Sequence, residues 1–219
     1  MTAAQGFLFD LDGLLIDSEP LWKRAEEVVL ARLGRQFSHR IAVQHMGMRM
    51  QECAEGMVAA YDLRDCTPEQ FASDLVDAFL AEMDRGVEAM PGADRAIRTA
   101  ASHGVLAIAS SSPMRIIDRA LEHFGWSRRF IVRCSGDEVA NGKPAPDIFL
   151  ETARRLGIEP ARCTVLEDSL NGARAARAAG MHCVAVPGAD FDTGQFEECA
   201  DAILTSLEQF EPGQPRASQ

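Results

Sequence analysis

Side chains that could hold a phosphate group or a metal ion follow short apolar segments at four points in the chain. In chain order they are Asp10 and Asp12, Ser110 and Ser111, Lys143, and the adjacent pair Glu167 and Asp168. Carboxylates that lie close together repel one another unless a cation neutralises them, and oxygen ligands favour a hard ion such as Mg²⁺. An ammonium group and hydroxyl or backbone N–H donors suit phosphate oxygens. The pattern therefore predicts a magnesium site that binds a small phosphorylated substrate.

The first of these points has the spacing D-x-D-G. In an extended segment Asp10 and Asp12 project to the same side, while Leu11 between them points into the core. Both carboxylates can therefore face one phosphorus atom, so that one attacks it while the other transfers protons. The spacing alone leaves open which residue does which. Gly13 permits the turn that leads the chain out of the strand.

The surrounding elements are expected to bring these residues to one edge of a sheet. Short apolar runs predict strands over 7–9, 105–109, 130–134, 163–166 and 182–186. Helical patterns predict helices over 93–103, 113–124, 146–156 and 171–179. This alternation predicts an α/β fold with a doubly wound, mostly parallel, Rossmann-like core sheet. Ligands bind outside the carboxyl ends of such strands, where the polar residues stand. Ser112 is expected to cap the helix over 113–124, and Ser169 the helix over 171–179.

A helical insertion interrupts this alternation after the first strand. Apolar residues recur at helical spacing over 20–33, 50–61 and 67–83, and Thr67-Pro68 is a typical helix start. We therefore predict an all-helical cap over 18–88, and an α/β core made of 1–17 and 89–211. The Pro-, Gly- and Ser-bearing tail over 212–219 is predicted to be disordered.

The cap is expected to carry the residues that select the substrate. In the segment HMGMRM, the methionines at 46, 48 and 50 suit packing or pocket lining, and Gly47 suits a turn toward the core. Arg49 has two interpretations, an exposed side chain or a contact with the non-reacting part of the substrate. Trp22 is the second candidate specificity residue in the cap.

Composition excludes several classes of protein. The 219 residues include 22 Lys and Arg against 33 Asp and Glu, a net charge of −11, so a nucleic-acid partner is not expected. No apolar run reaches the roughly 20 residues of a membrane span, and the first residues do not form a signal peptide, so the interpretation is a cytoplasmic protein. Six cysteines without a C-x-x-C pair are expected to be reduced. No heptad pattern calls for a partner chain, which favours a monomer.

Four segments in order resemble the four motifs of the haloacid dehalogenase-like hydrolase superfamily. They read FDLDGLLIDSEPLW, AIASSSP, GKPAPDIF and VLEDSLNGARAARAAGM. Within that superfamily the chain is similar to the subgroup of β-phosphoglucomutase and the 2-deoxyglucose-6-phosphate phosphatases. The resemblance spans almost the whole chain.

The resemblance implies a role for each matched residue. Asp10 matches the nucleophile that forms an aspartyl-phosphate, and Asp12 the general acid and base, whose backbone carbonyl also binds the metal. The phosphoryl-binding residues would be Ser110, Lys143 and the backbone N–H of Ser111. The metal would be Mg²⁺, bound by Asp10, Asp12 and Asp168, with Glu167 contacting it directly or through water.

Three functions fit these features. The first is a Mg²⁺-dependent phosphatase of a small phosphorylated metabolite, a sugar phosphate of the hexose-6-phosphate type. The second is a phosphomutase similar to β-phosphoglucomutase. The mutases carry a histidine where this chain has Trp22, which favours hydrolysis. The third, from a different class, is a sugar-phosphate-binding protein without catalysis. Such a protein would have no use for an Asp12 placed to transfer protons.

Overall fold

A computed structural model describes residues 5–45, 47–188 and 192–213 of the protein. Its central feature is a six-stranded sheet in which every neighbouring pair is parallel, in the order β3-β2-β1-β4-β5-β6. The strands are β1 (Gly6–Phe9), β2 (Val105–Ser110), β3 (Phe130–Ser135), β4 (Cys163–Glu167), β5 (His182–Ala185) and β6 (Ala202–Ile203). The predicted doubly wound α/β fold is thus confirmed. The short edge strand β6 was not predicted, because two residues are too few to show the side-chain alternation of a strand.

The central strands β1, β2 and β4 are largely buried on both faces because most of their residues are apolar. Along β1, Phe7 and Phe9 belong to one apolar cluster and Leu8, between them, to the cluster on the opposite face. Four helices cover the core sheet: α5 (Ala93–Ala101), α6 (Met114–His123), α7 (Asp147–Leu156) and α8 (Leu170–Ala178). All four lie within two residues of their predicted bounds.

One predicted helix cap is wrong and another is confirmed. Helix α6 has Pro113 as its N-cap residue and receives no side-chain cap from Ser112, whose hydroxyl instead donates to Asp12. Ser169 does cap α8, since its Oγ accepts a hydrogen bond from Gly172 N over 3.0 Å.

In the described part of the chain, the insertion between β1 and α5 contains four helices. They are α1 (Glu19–Arg32), α2 (His39–His45), α3 (Met50–Ala60) and α4 (Pro68–Arg85). Thr67 Oγ1 accepts a hydrogen bond from Gln70 N over 3.2 Å at the start of α4, as its sequence predicts. Helix α2 was not predicted, since it is one turn or two long and buries none of its side chains. Among the described residues, no helix is both long enough and apolar enough to cross a bilayer.

The two chain segments that join the insertion to the sheet run side by side. Ile16 and Ala89 form an antiparallel bridge, and Asp17 N donates to Glu88 O over 2.9 Å. The division into a core of 1–17 and 89–211 and a cap of 18–88 stays a prediction. Of the tail over 212–219, all but residues 212 and 213 lie outside the described residues, as does residue 46 of the HMGMRM segment.

Candidate active site

A buried lysine at the carboxyl edge of the sheet bridges two carboxylates from different strands. Lys143 Nζ lies 2.6 Å from Asp10 Oδ1 and 2.9 Å from Glu167 Oε2. Asp10 follows β1, Glu167 is the last residue of β4, and Lys143 comes from the loop before α7. All three side chains are at most 8% exposed, so little water screens these ion pairs.

The charges in this cluster are not balanced. Burial, and then the charge of Glu167, raise the pKa of Asp10 to about 7. Burial likewise raises the pKa of Asp168, with smaller contributions from Glu167 and Asp10. Burial alone would lower the pKa of Lys143, but the two facing carboxylates outweigh it and raise that pKa. One ammonium group therefore faces an excess of carboxylates.

This excess has the composition of a site for a hard cation. Carboxylate oxygens of Asp10, Glu167 and Asp168 all lie within 4.8 Å of one another. Oxygen ligands of this kind suit Mg²⁺, and a divalent ion would offset the repulsion that adds to burial in raising the pKa values of Asp10 and Asp168. The cluster thus fits the predicted cofactor. The Asp12 side chain is not one of its members, and a metal contact through the Asp12 carbonyl stays a prediction.

Asp12 lies beside this cluster with both of its carboxylate oxygens engaged. Trp22 Nε1 in α1 donates to Asp12 Oδ1 over 3.1 Å, and Ser112 Oγ donates to Oδ2 over 2.7 Å. The Trp22 ring packs against Phe79 of α4, with centroids 4.0 Å apart. One donor therefore comes from the insertion and the other from the loop after β2, and together they orient Asp12.

The other predicted phosphate-binding residues border the same space. Ser110 ends β2, and its Oγ accepts from Ser112 N over 3.1 Å and lies 3.5 Å from Asp12 Oδ2. Ser111 is partly exposed and lines the cavity next to it. Their phosphate contacts stay predictions.

Gly13 and Ser169 shape the side of the site that carries Asp168 and Glu167. Gly13 has φ +74°, and a Cβ atom there would collide with the Asp168 carboxylate, so any other residue would displace this predicted ligand. Ser169 Oγ donates to Glu167 Oε1 over 2.6 Å while it caps α8. The carboxylate of Glu167 is thereby held by Lys143 on one oxygen and by Ser169 on the other.

A cavity of about 520 Å³ extends from these residues toward the insertion. Its lining combines Asp10, Asp12, Lys143 and Asp168 at the carboxyl edge of the sheet with residues of the insertion, namely Trp22, Glu26, His39, His45, Met48 and Met50. A role of Trp22 in substrate specificity stays a prediction. This volume is typical of a small-molecule site.

Arg49 does not line this cavity. Its Nη1 donates to Val139 O over 2.9 Å and to Ala140 O over 3.1 Å, and its Nε donates to Glu52 Oε1 over 3.0 Å. Its side chain also covers Gly142, where a Cβ atom would come within 2.9 Å of Arg49 Cγ. Arg49 therefore connects the insertion to the loop that carries Lys143. The predicted contact with substrate stays a prediction.

Two residues of the site escaped sequence reasoning. Ser112 was assigned to a helix cap because a proline follows it, although it stands in a run of three serines after β2. Glu26 carried no signal except its place four residues after Trp22, on the same face of α1.

Comparison with known proteins identifies the class. Residues 4–180 match the family model of the haloacid dehalogenase-like hydrolases, and the chain belongs to this family. The predicted resemblance is thereby confirmed, and the chain is a phosphoric monoester hydrolase of the class that acts on small phosphorylated metabolites.

Individual known proteins are similar to this chain over most of its length. The chain is 39% identical over 202 residues to the bifunctional riboflavin kinase/FMN phosphatase of Arabidopsis thaliana, covering 91% of this chain but 52%, about half, of the plant protein. It is 32% identical to hexitol phosphatase B of Escherichia coli K12, covering 91% of each chain. A crystal structure of a CbbY mutant from Rhodobacter sphaeroides in complex with xylulose-(1,5)bisphosphate superposes with a TM-score of 0.87 at 28% identity, covering 94% of this chain and 96% of that one.

Proposed function

We propose that this enzyme is a Mg²⁺-dependent phosphatase that hydrolyses a sugar phosphate or sugar-alcohol phosphate of the hexose-6-phosphate type through an aspartyl-phosphate on Asp10. The observation that carries the proposal is the pairing of a buried Asp10, bound to Lys143, with an Asp12 whose two oxygens are held in place beside it. The E. coli hexitol phosphatase and the complex of CbbY with a pentulose bisphosphate support the substrate class.

In the first half-reaction a carboxylate oxygen of Asp10 attacks the phosphorus atom. A bond forms between Asp10 and phosphorus while the bond from phosphorus to the substrate oxygen breaks. Asp12, protonated at this stage, gives its proton to the departing oxygen, so that the sugar leaves as a neutral alcohol. Lys143, together with Ser110 and the backbone N–H of Ser111, donates to the phosphoryl oxygens.

In the second half-reaction a water molecule attacks the same phosphorus atom. Asp12, now a carboxylate, takes a proton from that water, and the bond between phosphorus and Asp10 breaks. Inorganic phosphate leaves, Asp10 is restored as a carboxylate and Asp12 is protonated again. The hydrogen bonds from Trp22 and Ser112 keep the Asp12 carboxylate directed at the reacting atoms through both steps.

The residues that would hold Mg²⁺ are Asp10, Asp168 and the backbone carbonyl of Asp12, with Glu167 in direct or water-mediated contact. When bound, the ion supplies positive charge that offsets repulsion between the substrate phosphate and the carboxylates. Lys143 engages Asp10 Oδ1, which keeps this carboxylate from turning away from the substrate.

Trp22 favours hydrolysis over the phosphomutase alternative. An indole Nε1 only donates hydrogen bonds and cannot accept a proton, whereas the histidine that mutases carry at this position can. The Trp22 nitrogen is moreover engaged with Asp12. We therefore assign the returning nucleophile to water rather than to a second hydroxyl of the sugar.

The test is an assay of p-nitrophenyl phosphate and sorbitol 6-phosphate with MgCl₂ and with EDTA. Wild type should release phosphate only with the metal, and Asp10→Asn should be inactive. Asp12→Asn should give a burst of p-nitrophenol and a phosphoenzyme that can be trapped by acid from radiolabelled substrate, because p-nitrophenolate leaves without an acid while hydrolysis lacks its base.

The matched control is Asp65→Asn, since Asp65 is an exposed aspartate on the insertion. Release of phosphate that is independent of the metal, or equal in wild type and Asp10→Asn, would contradict the proposal. Conversion of a sugar phosphate to its positional isomer without phosphate release would favour the mutase, and binding without turnover would favour the non-catalytic function.

A further inference from the structure

Glu26 is a buried acid that has no partner within the described part of the chain. It lies in the middle of α1, is 8% exposed and lines the cavity. Its Oε2 atom is buried and receives no hydrogen bond. No ion pair to Glu26 is found among the described residues.

Other buried acids show how unusual this is. Glu82 of α4, which is 5% exposed, binds Arg24 and Arg85. Glu167 binds Lys143 and Ser169. Proteins pair buried carboxyl groups in this way because an unpaired one loses its bonds to water and gains nothing. An unpaired acid at the wall of a cavity therefore suggests that its partner is a ligand.

The location of Glu26 indicates which part of a ligand it would meet. Trp22, four residues earlier on the same helix face, reaches Asp12, where the bond to the leaving oxygen breaks. Four residues advance a helix by about 6 Å, so Glu26 stands farther from the phosphate, along the alcohol portion of a bound monoester. The cavity lining there includes the apolar or weakly polar Met50, Cys53 and Leu75.

We propose that the Glu26 carboxyl group is a specificity determinant that binds a hydroxyl group of the substrate's alcohol portion, and so selects polyhydroxy phosphate esters. This inference rests on the proposed function and names the group that recognises the leaving alcohol. A hydroxyl group suits this position because it can donate a hydrogen bond to a carboxylate oxygen and accept one from a protonated carboxyl group, whereas an ammonium group can only donate. Burial raises the pKa of Glu26 to about 7, so that near neutral pH the group can either accept or donate a hydrogen bond to a hydroxyl.

The test compares Glu26→Leu and Glu26→Gln with wild type on sorbitol 6-phosphate, glycerol 3-phosphate and p-nitrophenyl phosphate. The ratio of kcat/KM for the best polyhydroxy ester to that for p-nitrophenyl phosphate should fall about 100-fold in Glu26→Leu, because a hydroxyl would then meet an apolar wall. Glu26→Gln, which keeps an acceptor oxygen, should restore most of that ratio. Glu27→Leu is the matched control, since Glu27 is the exposed neighbour of Glu26.

A binding measurement separates this inference from the proposed mechanism. In the Asp10→Asn background, calorimetry should give a Kd for the same polyhydroxy ester that is at least tenfold weaker with Glu26→Leu than without it. This readout does not require turnover, so a failure of the proposed chemistry leaves it decisive. An unchanged Kd, an equal loss of kcat/KM on all three esters, or equally tight binding of p-nitrophenyl phosphate and sorbitol 6-phosphate by Asp10→Asn with Glu26 intact would each overturn the inference.

Thermal unfolding provides a check against a merely structural role. Glu26→Leu removes an unpaired buried acid, so its Tm should equal or exceed that of wild type while substrate selectivity is lost. A fall in Tm that accompanies the loss of selectivity, and that Glu26→Gln does not reverse, would assign Glu26 to folding instead.

Discussion

Ser112 and Asp12 stand 100 positions apart in the chain, yet Ser112 Oγ donates a hydrogen bond of 2.7 Å to Asp12 Oδ2. The bond joins the loop after β2 to the loop after β1, two neighbouring strands of the sheet. Trp22 holds the other oxygen of the same carboxylate from α1. The proposed general acid is therefore oriented by the core and by the insertion at once, and its orientation depends on how the insertion sits over the core.

We expect Ser112→Ala to lower kcat for sorbitol 6-phosphate roughly 10-fold, since a less well oriented Asp12 protonates the leaving oxygen less efficiently. p-Nitrophenyl phosphate should be affected less, because its leaving group needs no proton. Steady-state kinetics on both esters measures the difference. Ser102→Ala, at an exposed serine, is the control. An equal loss on the two esters would argue against an effect through Asp12.

The double variant Ser112→Ala with Trp22→Phe extends this prediction. Trp22→Phe removes the Nε1 donor and keeps an aromatic ring against Phe79. Because both donors bind the same carboxylate, their effects on kcat should be coupled. The fold-loss of kcat in the double variant should therefore differ from the product of the two single fold-losses. A fold-loss equal to that product would show that the two hydrogen bonds do not act through the same carboxylate.

Lys143→Met should make folding dependent on metal. Without the ammonium group, Asp10, Glu167 and Asp168 face one another unneutralised, and the free energy of unfolding in EDTA should fall by about 3–5 kcal/mol. MgCl₂ should restore part of the loss, because an ion that binds only the folded state stabilises it. Urea unfolding with EDTA and with MgCl₂ measures the free energy of unfolding under each condition.

Lys23→Met is the natural control for this experiment, since Lys23 is the other lysine of the chain and is exposed. Its stability should match that of wild type under both conditions. Equal stability of Lys143→Met and wild type in EDTA would show that the carboxylates do not need the lysine.

Glu26 predicts an unusual dependence of stability on pH. Burial raises its pKa from 4.5 in the unfolded chain to about 7 in the folded protein, so between these values the folded state binds the additional proton. Stability should then fall as pH rises through this range. Glu26→Gln should gain about 2 kcal/mol over wild type on going from about pH 5 to about pH 8, measured by urea unfolding.

Two groups whose pKa values include a contribution from the charge of Glu26 do not titrate in this pH range. They are Cys53 and Tyr61, both of which feel its charge, and burial raises the pKa of each further above the range tested, that of Cys53 to about 12. A difference between Glu26→Gln and wild type that stays constant with pH would contradict the raised pKa of Glu26.

Arg49→Ala should affect all substrates alike. The guanidinium joins the insertion to Val139 and Ala140, and no part of it lines the cavity. Its loss should lower kcat/KM by a similar factor, roughly 10-fold, for sorbitol 6-phosphate, glycerol 3-phosphate and p-nitrophenyl phosphate, since closure over the site is weakened. Arg40→Ala, an exposed arginine on α2, is the control. A selective loss on one ester would instead support a direct substrate contact.

The sequence was informative where local patterns decide structure. Apolar runs mark strands that are buried on both faces, and parallel strands necessarily bring their carboxyl ends to one edge, so the meeting of Asp10, Lys143 and Glu167 followed from the order of elements. Ser112 shows the limit of this reasoning. A serine before a proline suggests a cap, and the competing partner, Asp12, becomes visible only once the two loops are adjacent.

The insertion shows the same limit for longer distances. Helix α2 buries no side chain, so it has no apolar period to detect. Arg49 could be expected to reach substrate or solvent, and its carbonyl partners on the core are about 90 positions away along the chain. Contacts between segments that are distant along the chain leave no local signature in either segment.

The bridge between Ile16 and Ala89 has a consequence for exchanging the insertion. The chain leaves the sheet and returns to it at adjacent points, with Asp17 hydrogen-bonded to Glu88, so both covalent connections of the insertion lie at one place. A different insert with closely spaced ends could join the chain there without altering the order of the strands, but it would have to replace the hydrogen bond that Trp22 donates to Asp12. A change of insert would therefore alter both what the enzyme admits and how its proposed general acid is oriented.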